Sequence, residues 1–387
     1  MPSKPTLASP AVAGLLRDRR RTLGWTLRQV EALSRESGDP IPHSTLARIE
    51  AGRFDPGVRR LRQLLDLYQL PIQAAGEVLD LEAIAAAATP IERDPEQLRR
   101  RALTAWQAGR IAEALACFLA YRRRVPNDGA HRGMRQEAIL VFAVAAGTLG
   151  RAHLARHMLD ELLLENPGED LLVRILIQES VVWRGLGSAV AARAFVERAA
   201  ALVRPDAAQY RGWIEHQRGL IQLEERSFAE AEASLERAIR LQRRARSAHD
   251  VGLVHLALVR LRFEEGRPKD ALAVARRAEV HAKRHAFNRL RLSALVDQAR
   301  ALQELGSMRA SRNVLRSVLA DSMVADDNRT SFYAHVYLWK AERALGNAAR
   351  AALELSEAGY YLQFVDQTSA EAAEVRGQRA RRARTTA

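Results

Sequence analysis

The chain has 387 residues, 48% of them hydrophobic but only 5% aromatic, with a formal charge of +14. It is too long for one ordinary domain and apolar enough for a sizeable core, and its recurring Ala, Leu, Arg and Glu favour helix over strand. A single cysteine, Cys117, excludes an intramolecular disulfide framework or a cysteine-rich metal site. The opening MPSKPTLASP has no apolar signal core, and the longest nearly apolar run, AILVFAVAAGTLG, falls short of the ~20 residues that span a bilayer. The expectation is a soluble, cytoplasmic, all-α protein, and a pI near 10.7 favours an anionic partner.

Residues 11–70 read as four short helices. The first places Val12, Leu15, Leu16 and Leu23 on one face and stops at Gly24. Thr26 caps a second, with Leu27, Val30 and Leu33 inward, and RESGDP breaks it. A third carries Leu46 and Ile49 inward and ends at Gly52, a residue suited to a left-handed helix end. The fourth, VRRLRQLLDLYQL, sets Val58, Leu61, Leu65 and Tyr68 on one side and stops before Pro71. From Leu15 to Arg62 eleven arginines face six acids, enough for a salt-dependent phosphate attraction but no more than many solvated surfaces carry.

The segments LLRDRRRTLGWTLRQVEALS and IPHSTLARIEAG together resemble the lambda-repressor-like helix-turn-helix domain of the xenobiotic-response-element (XRE) family, over residues 11–72. The resemblance rests on Thr26-Leu27, Ser44-Thr45-Leu46, and Arg48-Ile49-Glu50 followed by Gly52. It implies that the third helix enters the major groove, with His43, Ser44 and Thr45 at base edges and Ala47 and Arg48 a turn further on. It also implies phosphate contacts from Thr26, Arg28 and Gln29 at the front of the second helix, and from Arg53. Glu50 is implied to pair with Arg20 as a brace. Two features depart from the family: the turn between Ser34 and Ile41 is about five residues longer, and Pro42 replaces a capping Ser or Thr.

A helix over residues 73–90 is expected to link this head to the remainder of the chain. From residue 91 the chain repeats itself. Glycines recur at 109, 150, 187, 266, 306 and 346, with Arg226 in the missing place, at separations of 37 to 41. A small residue follows each about five positions on (Ala114, Ala155, Ala192, Ala231, Ala271, Ser311, Ala351), and four later comes a core position. GRIAEALACFLAYRRRVP and GRAHLARHMLDELLLENP resemble tetratricopeptide repeats, and seven helix pairs over 91–366 are expected to form an α-superhelix with a concave inner surface. Carboxylate-clamp repeats need an inner asparagine where this chain has Leu103, beside Arg99. Bacterial peptide-pheromone receptors join the same two parts but grip peptides with inner asparagines, whereas Asn127, Asn166, Asn328 and Asn347 fall in turns.

Other signals are weaker. His153 with His157, and His281 with His285, stand one helical turn apart but lack a third ligand, and are read as surface or groove residues. GLGSAV at Gly185–Val190 falls at a repeat turn, not after a strand, and is no dinucleotide loop. Trp183, Trp213, Trp339, Tyr360 and Tyr361 are read as core or groove packing. The tail 367–387, with five arginines from Arg376 to Arg384, is read as disordered, with an extra DNA-phosphate arm as the alternative. No metal, cofactor or catalytic constellation is expected.

The fold class expected is all-α, a helix-turn-helix bundle followed by a tetratricopeptide-like superhelix. The functional expectation is a bacterial transcription regulator that binds a double-stranded operator as a homodimer, with a peptide or protein effector of unassigned site in the repeat groove. The alternative is a repeat-based scaffold whose head makes protein contacts; an enzyme comes third.

Overall fold

The computed structural model describes residues 9–91, 93–125, 129–325, 327–366 and 369–386, and no strand occurs among them. The head holds α1 (Pro10–Thr22), α2 (Leu27–Glu36), α3 (His43–Glu50), α4 (Gly57–Leu67) and α5 (Ile72–Ala85). Leu15, Leu16, Val30, Leu46, Ile49, Leu65 and Tyr68 meet in its core. Val58, expected inward, is 83% exposed, because α4 begins only one residue earlier and its first turn lies at the surface.

Helix α5 is more than a link. Ala74, Ala75, Val78, Leu81 and Ile84 are buried along it, and it packs on α1 as well as on the first two repeats. One apolar cluster therefore runs without a break from Val12 to Val182, so the head is part of the same solid body as the early repeats.

Seven antiparallel pairs come next: α6 (Pro95–Ala108) with α7 (Ile111–Arg124), α8 (Arg132–Thr148) with α9 (Ala152–Leu164), α10 (Glu169–Gly185) with α11 (Ala189–Leu202), and α12 (Ala208–Glu224) with α13 (Phe228–Arg244). Then come α14 (Ala248–Glu264) with α15 (Pro268–Arg284), α16 (Asn288–Glu304) with α17 (Met308–Val324), and α18 (Asn328–Ala344) with α19 (Ala348–Tyr361). The turn inside every pair holds one residue at positive φ, from 61° at Arg226 to 86° at Gly109. All seven expected small positions are buried, as are the core positions four residues later, Phe118, Leu159, Val196, Leu235, Ala275, Leu315 and Leu355. The small residue lets the paired backbones close: a Cβ on Gly219 would lie 3.2 Å from the carbonyl oxygen of Ala231. Later pairs, which lack the terminal proline, turn into the next unit through Arg246 (φ 57°) and Ala286 (φ 56°) instead.

The superhelix winds until its last units touch its first. Arg289 Nη1, at the start of α16, donates to the Trp106 carbonyl (2.9 Å) at the end of α6, and the guanidinium lies 5.4 Å from the Trp106 ring centre. Gly109 is pressed against Asp327, where a Cβ would fall 2.5 Å from Asp327 Cγ. Arg151, 4% exposed, donates to the carbonyls of Leu149 (2.6 Å), Val365 (3.2 Å) and Gln363 (3.3 Å). Its Nη2 is also 3.6 Å from Asp80 of α5. Phe364, in the 3₁₀ turn Leu362–Phe364, joins the head's own apolar cluster.

The tail expected to be disordered is, over Ala370–Thr386, the helix α20. Its Ala372 and Val375 are buried with Phe332, Val336 and Trp339. Tyr337 donates to Glu371 (2.8 Å), and Lys340 pairs with Glu374 (2.7 Å). The physical cause is the apolar face that the last pair presents beyond α19, which α20 covers; residues 367, 368 and 387 lie outside the described residues. Tyr360, expected to be packed, is 63% exposed, and His157, read as surface or groove, is 6% exposed with Glu161 at 3.2 Å. Among the described residues no helix is long and apolar enough to cross a membrane, and no group of three His, Cys, Asp or Glu could hold a metal ion.

Candidate nucleic-acid interface

The front of α2 is closed by a capping box. Thr26 Oγ1 accepts from the Gln29 N–H (3.2 Å), and Gln29 Oε1 accepts from the Thr26 N–H (2.7 Å). Both side chains are thereby fixed to the helix start, while Arg28 between them is exposed. These three stand together at one helix end, where unpaired N–H groups favour an anion.

Pro42 has no side chain with which to cap α3, and Glu31 of α2 does so instead. Its Oε2 accepts from the His43 N–H (3.2 Å) and lies 2.7 Å from His43 Nδ1. The His43 contacts, aided by Arg35, hold the Glu31 carboxyl below its ordinary range against the opposing effect of desolvation. His43 thus leans on α2 through Nδ1 while 52% of its side chain remains exposed. Ser44, Ala47 and Arg48 are exposed along the same edge of α3, and Thr45 is half-buried. The Arg48 guanidinium rests over the Phe54 ring at 5.2 Å, which limits its swing. Arg53 is exposed just beyond Gly52, whose φ of 67° ends the helix.

The long turn before α3 is tied down at several points. The Ile41 N–H donates to the buried Ser34 hydroxyl (2.8 Å), and Ile41 itself is fully buried. Gln63 Nε2 reaches from α4 to the Asp39 carbonyl (2.6 Å) and the Ser37 hydroxyl (3.1 Å). The extra residues form a pinned loop, and the direction of α3 is set by packing at Ile41, Leu46 and Ile49.

Beneath this edge lies the Arg20–Glu50 pair. Arg20 donates from Nε to Oε1 (2.7 Å) and from Nη2 to Oε2 (2.8 Å), and from Nη1 to the Trp25 carbonyl (2.7 Å). The bond to Glu50 raises the Arg20 pKa. The Tyr68 hydroxyl approaches Glu50 Oε1 at 3.4 Å, and burial pushes the Tyr68 phenol up. One fork therefore ties α1 to the last residue of α3 and to the turn ahead of α2.

A family model described as a helix-turn-helix domain matches residues 11–78. The N-terminal unit is a helix-turn-helix domain. It comprises α1 to α4 and the front half of α5. No curated protein matches the sequence. Among solved structures the chain is similar to PlcR of Bacillus thuringiensis, determined with the peptide PapR7 and DNA, at 15% identity over 74% of this chain and 99% of that one (TM-score 0.44). Aspartyl phosphate phosphatase F from Bacillus subtilis is similar at 11% identity over 95% and 97% (TM-score 0.45). A signal-transduction ATPase with a tetratricopeptide repeat sensor from Pyrococcus horikoshii is similar at 13% identity over 90% of this chain and 55% of that one (TM-score 0.50). At such identities the likeness is one of fold, a tetratricopeptide-like helical superhelix.

Within the helix-turn-helix domain, Glu31 and Gln63 are structural supports of α3 and of the turn before it that the motif does not mark. Glu31 had one sequence signal: a helix whose cap position is proline has no side-chain oxygen of its own there and must take one from elsewhere. Gln63 had none, since its partners lie 24 and 26 residues away.

Proposed function

We propose that the chain is a sequence-specific transcription regulator that acts on DNA in the bacterial cytoplasm as a homodimer, with its repeat superhelix receiving a peptide or protein effector. The observation that carries the reading is the exposed edge of α3, Ser44, Ala47 and Arg48 with His43 and Thr45, on a helix-turn-helix domain braced from behind by the Arg20–Glu50 fork. Arg28 and Arg53 flank that edge as phosphate ligands, with Thr26 and Gln29 shaping the helix start. Two heads in a dimer meet half-sites about 34–36 Å apart. A superhelix continuous with α5 is a direct mechanical route by which an effector changes that separation.

Selection of the purified protein against random duplex DNA tests this, and an enriched motif with two-fold symmetry is expected. Ser44→Ala is expected to relax preference at one position of the motif by about 1–3 kcal/mol. Arg53→Ala is expected to weaken all sequences alike and to lower the salt slope by about one. Recovery of no motif, with the two variants indistinguishable, defeats the reading.

A further inference from the structure

A cleft of about 1150 Å³ lies between the helix-turn-helix domain and the first two repeats. One wall is α1; the other is the end of α7 with the start of α8. Arginines line it from both sides, Arg17 and Arg21 from α1, Arg123 from α7 and Arg132 from α8. Arg21 and Arg123 stand in last helical turns, where a cation complements the helix dipole. That accounts for each separately, but not for their meeting across one cleft.

The carboxylates of the cleft are already engaged. Asp18 accepts from Arg122 (2.6 Å), Glu165 from Arg135 (3.1 Å), Glu82 from Ser9, and Glu50 from Arg20, while the buried Glu161 faces His157 at 3.2 Å, its Oε1 without a hydrogen bond. Arg17 Nε is shut off from solvent and has no hydrogen-bond partner. Its nearest carboxylate oxygen, on Asp18, is 3.7 Å away, beyond hydrogen-bond length. Arg123 gives its Nε to the Leu119 carbonyl (3.2 Å), and Arg132 binds the carbonyls of Glu165 and Asn166 at the end of α9. Leu119 and Ile139, both nearly buried, add an apolar floor beside this rim.

Guanidinium forks match phosphate oxygens in pairs, and several of them converging suit a ligand with charges close together. The space slightly exceeds the usual range of a small-molecule site, about 300–1,000 Å³, and leaves room for a ligand with an extended phosphate chain. Its two-part lining calls for a polyanion with an attached flat apolar group. The cleft meets α3 only at its far end, Glu50 and Ala51, away from the Ser44 edge. We propose that this cleft binds a nucleoside polyphosphate, with Arg17, Arg21, Arg123 and Arg132 on the phosphates and the base against Leu119 and Ile139. A ligand there touches the DNA-binding head and the repeats at once, so occupancy fixes the position of one on the other.

Calorimetric titration of the full chain, without DNA and at about 150 mM salt, keeps the test separate from operator binding. GTP, ATP and sodium tripolyphosphate serve as probes. Saturable one-to-one binding is expected, with at least one nucleotide tighter than tripolyphosphate. Arg17→Ala with Arg123→Ala should weaken it by about tenfold or more, and Arg244→Ala, at an exposed position of α13 outside the cleft, should leave it unchanged. If the double variant fails to fold, Arg21→Gln, at an exposed position, takes its place, with the same direction expected. Heats no larger than those of sodium sulfate at equal ionic strength overturn the proposal, as does binding that survives the cleft variants. Nucleotides no tighter than tripolyphosphate overturn its nucleoside half.

Discussion

Glu50 gives up its water to Arg20 and Tyr68 and receives a two-pronged hydrogen bond in return. Glu179 of α10 is as deeply buried but has no such fork: neither oxygen has a hydrogen-bond partner. Burial, and then the neighbouring Asp160, push its carboxyl up to about 8, with Arg156 opposing. Folded Glu179 therefore holds a proton at neutral pH that the unfolded chain, with an ordinary glutamate, releases. The folded state is favoured by this group below the ordinary glutamate range. That advantage is lost as pH rises from there to about 8 and changes no further above it. Glu179→Gln, which cannot ionise, is expected to remove this slope. Thermal melts between pH 5 and 9 should show the variant gaining on the wild type by a few kcal/mol towards alkaline pH. Parallel curves for the two proteins would contradict the assignment.

Among the elements, the turns inside the repeat pairs were the most legible in sequence, because a left-handed residue is needed once per pair and glycine supplies it most cheaply. The period even marked the exception: Arg226 stands at φ 61° where its six counterparts are glycine. Arg226→Gly is expected to stabilise the protein by about 1 kcal/mol, seen as a higher urea midpoint for α12 and α13. No gain would mean that the cation–π contact with Phe228, at 6.0 Å, compensates for the backbone. The faces of α3 and the brace behind it were legible too, because local spacing and a motif encode them. Helix α20 was not. Its arginines read as solvated tail, and its two buried apolar residues, Ala372 and Val375, are too few to make a pattern. The Glu31 cap of α3 and the burial of His157 depend on neighbours that only the fold brings near.

On the scale of the molecule, the repeats do not form an open spring. Arg289 on Trp106, Asp327 against Gly109, and Arg151 on the carbonyls of Gln363 and Val365 lock the last units onto the first. Nothing in the 40-residue period announces this closure, since it belongs to no single repeat. Arg289→Ala removes both the hydrogen bond and the ring contact at Trp106. It is expected to raise the radius of gyration in small-angle X-ray scattering while circular dichroism stays unchanged. An unaltered scattering curve would show that the Arg151 and Asp327 contacts suffice alone.

Arg151 also gives the molecule an order of events during its synthesis. It is buried in the second repeat, yet one of its acceptors is 214 residues further along the chain. At typical translation rates of roughly 5–20 residues per second, the nascent head waits at least ten seconds or so for that partner. Until then α5, which carries Asp80 beside the same guanidinium, has only α1 and the early repeats to hold it. A helix-turn-helix head supported in this way reaches its final setting only when the distant end of the superhelix has been made, so a protein cut short before Val365 should differ from the intact chain in more than its missing length.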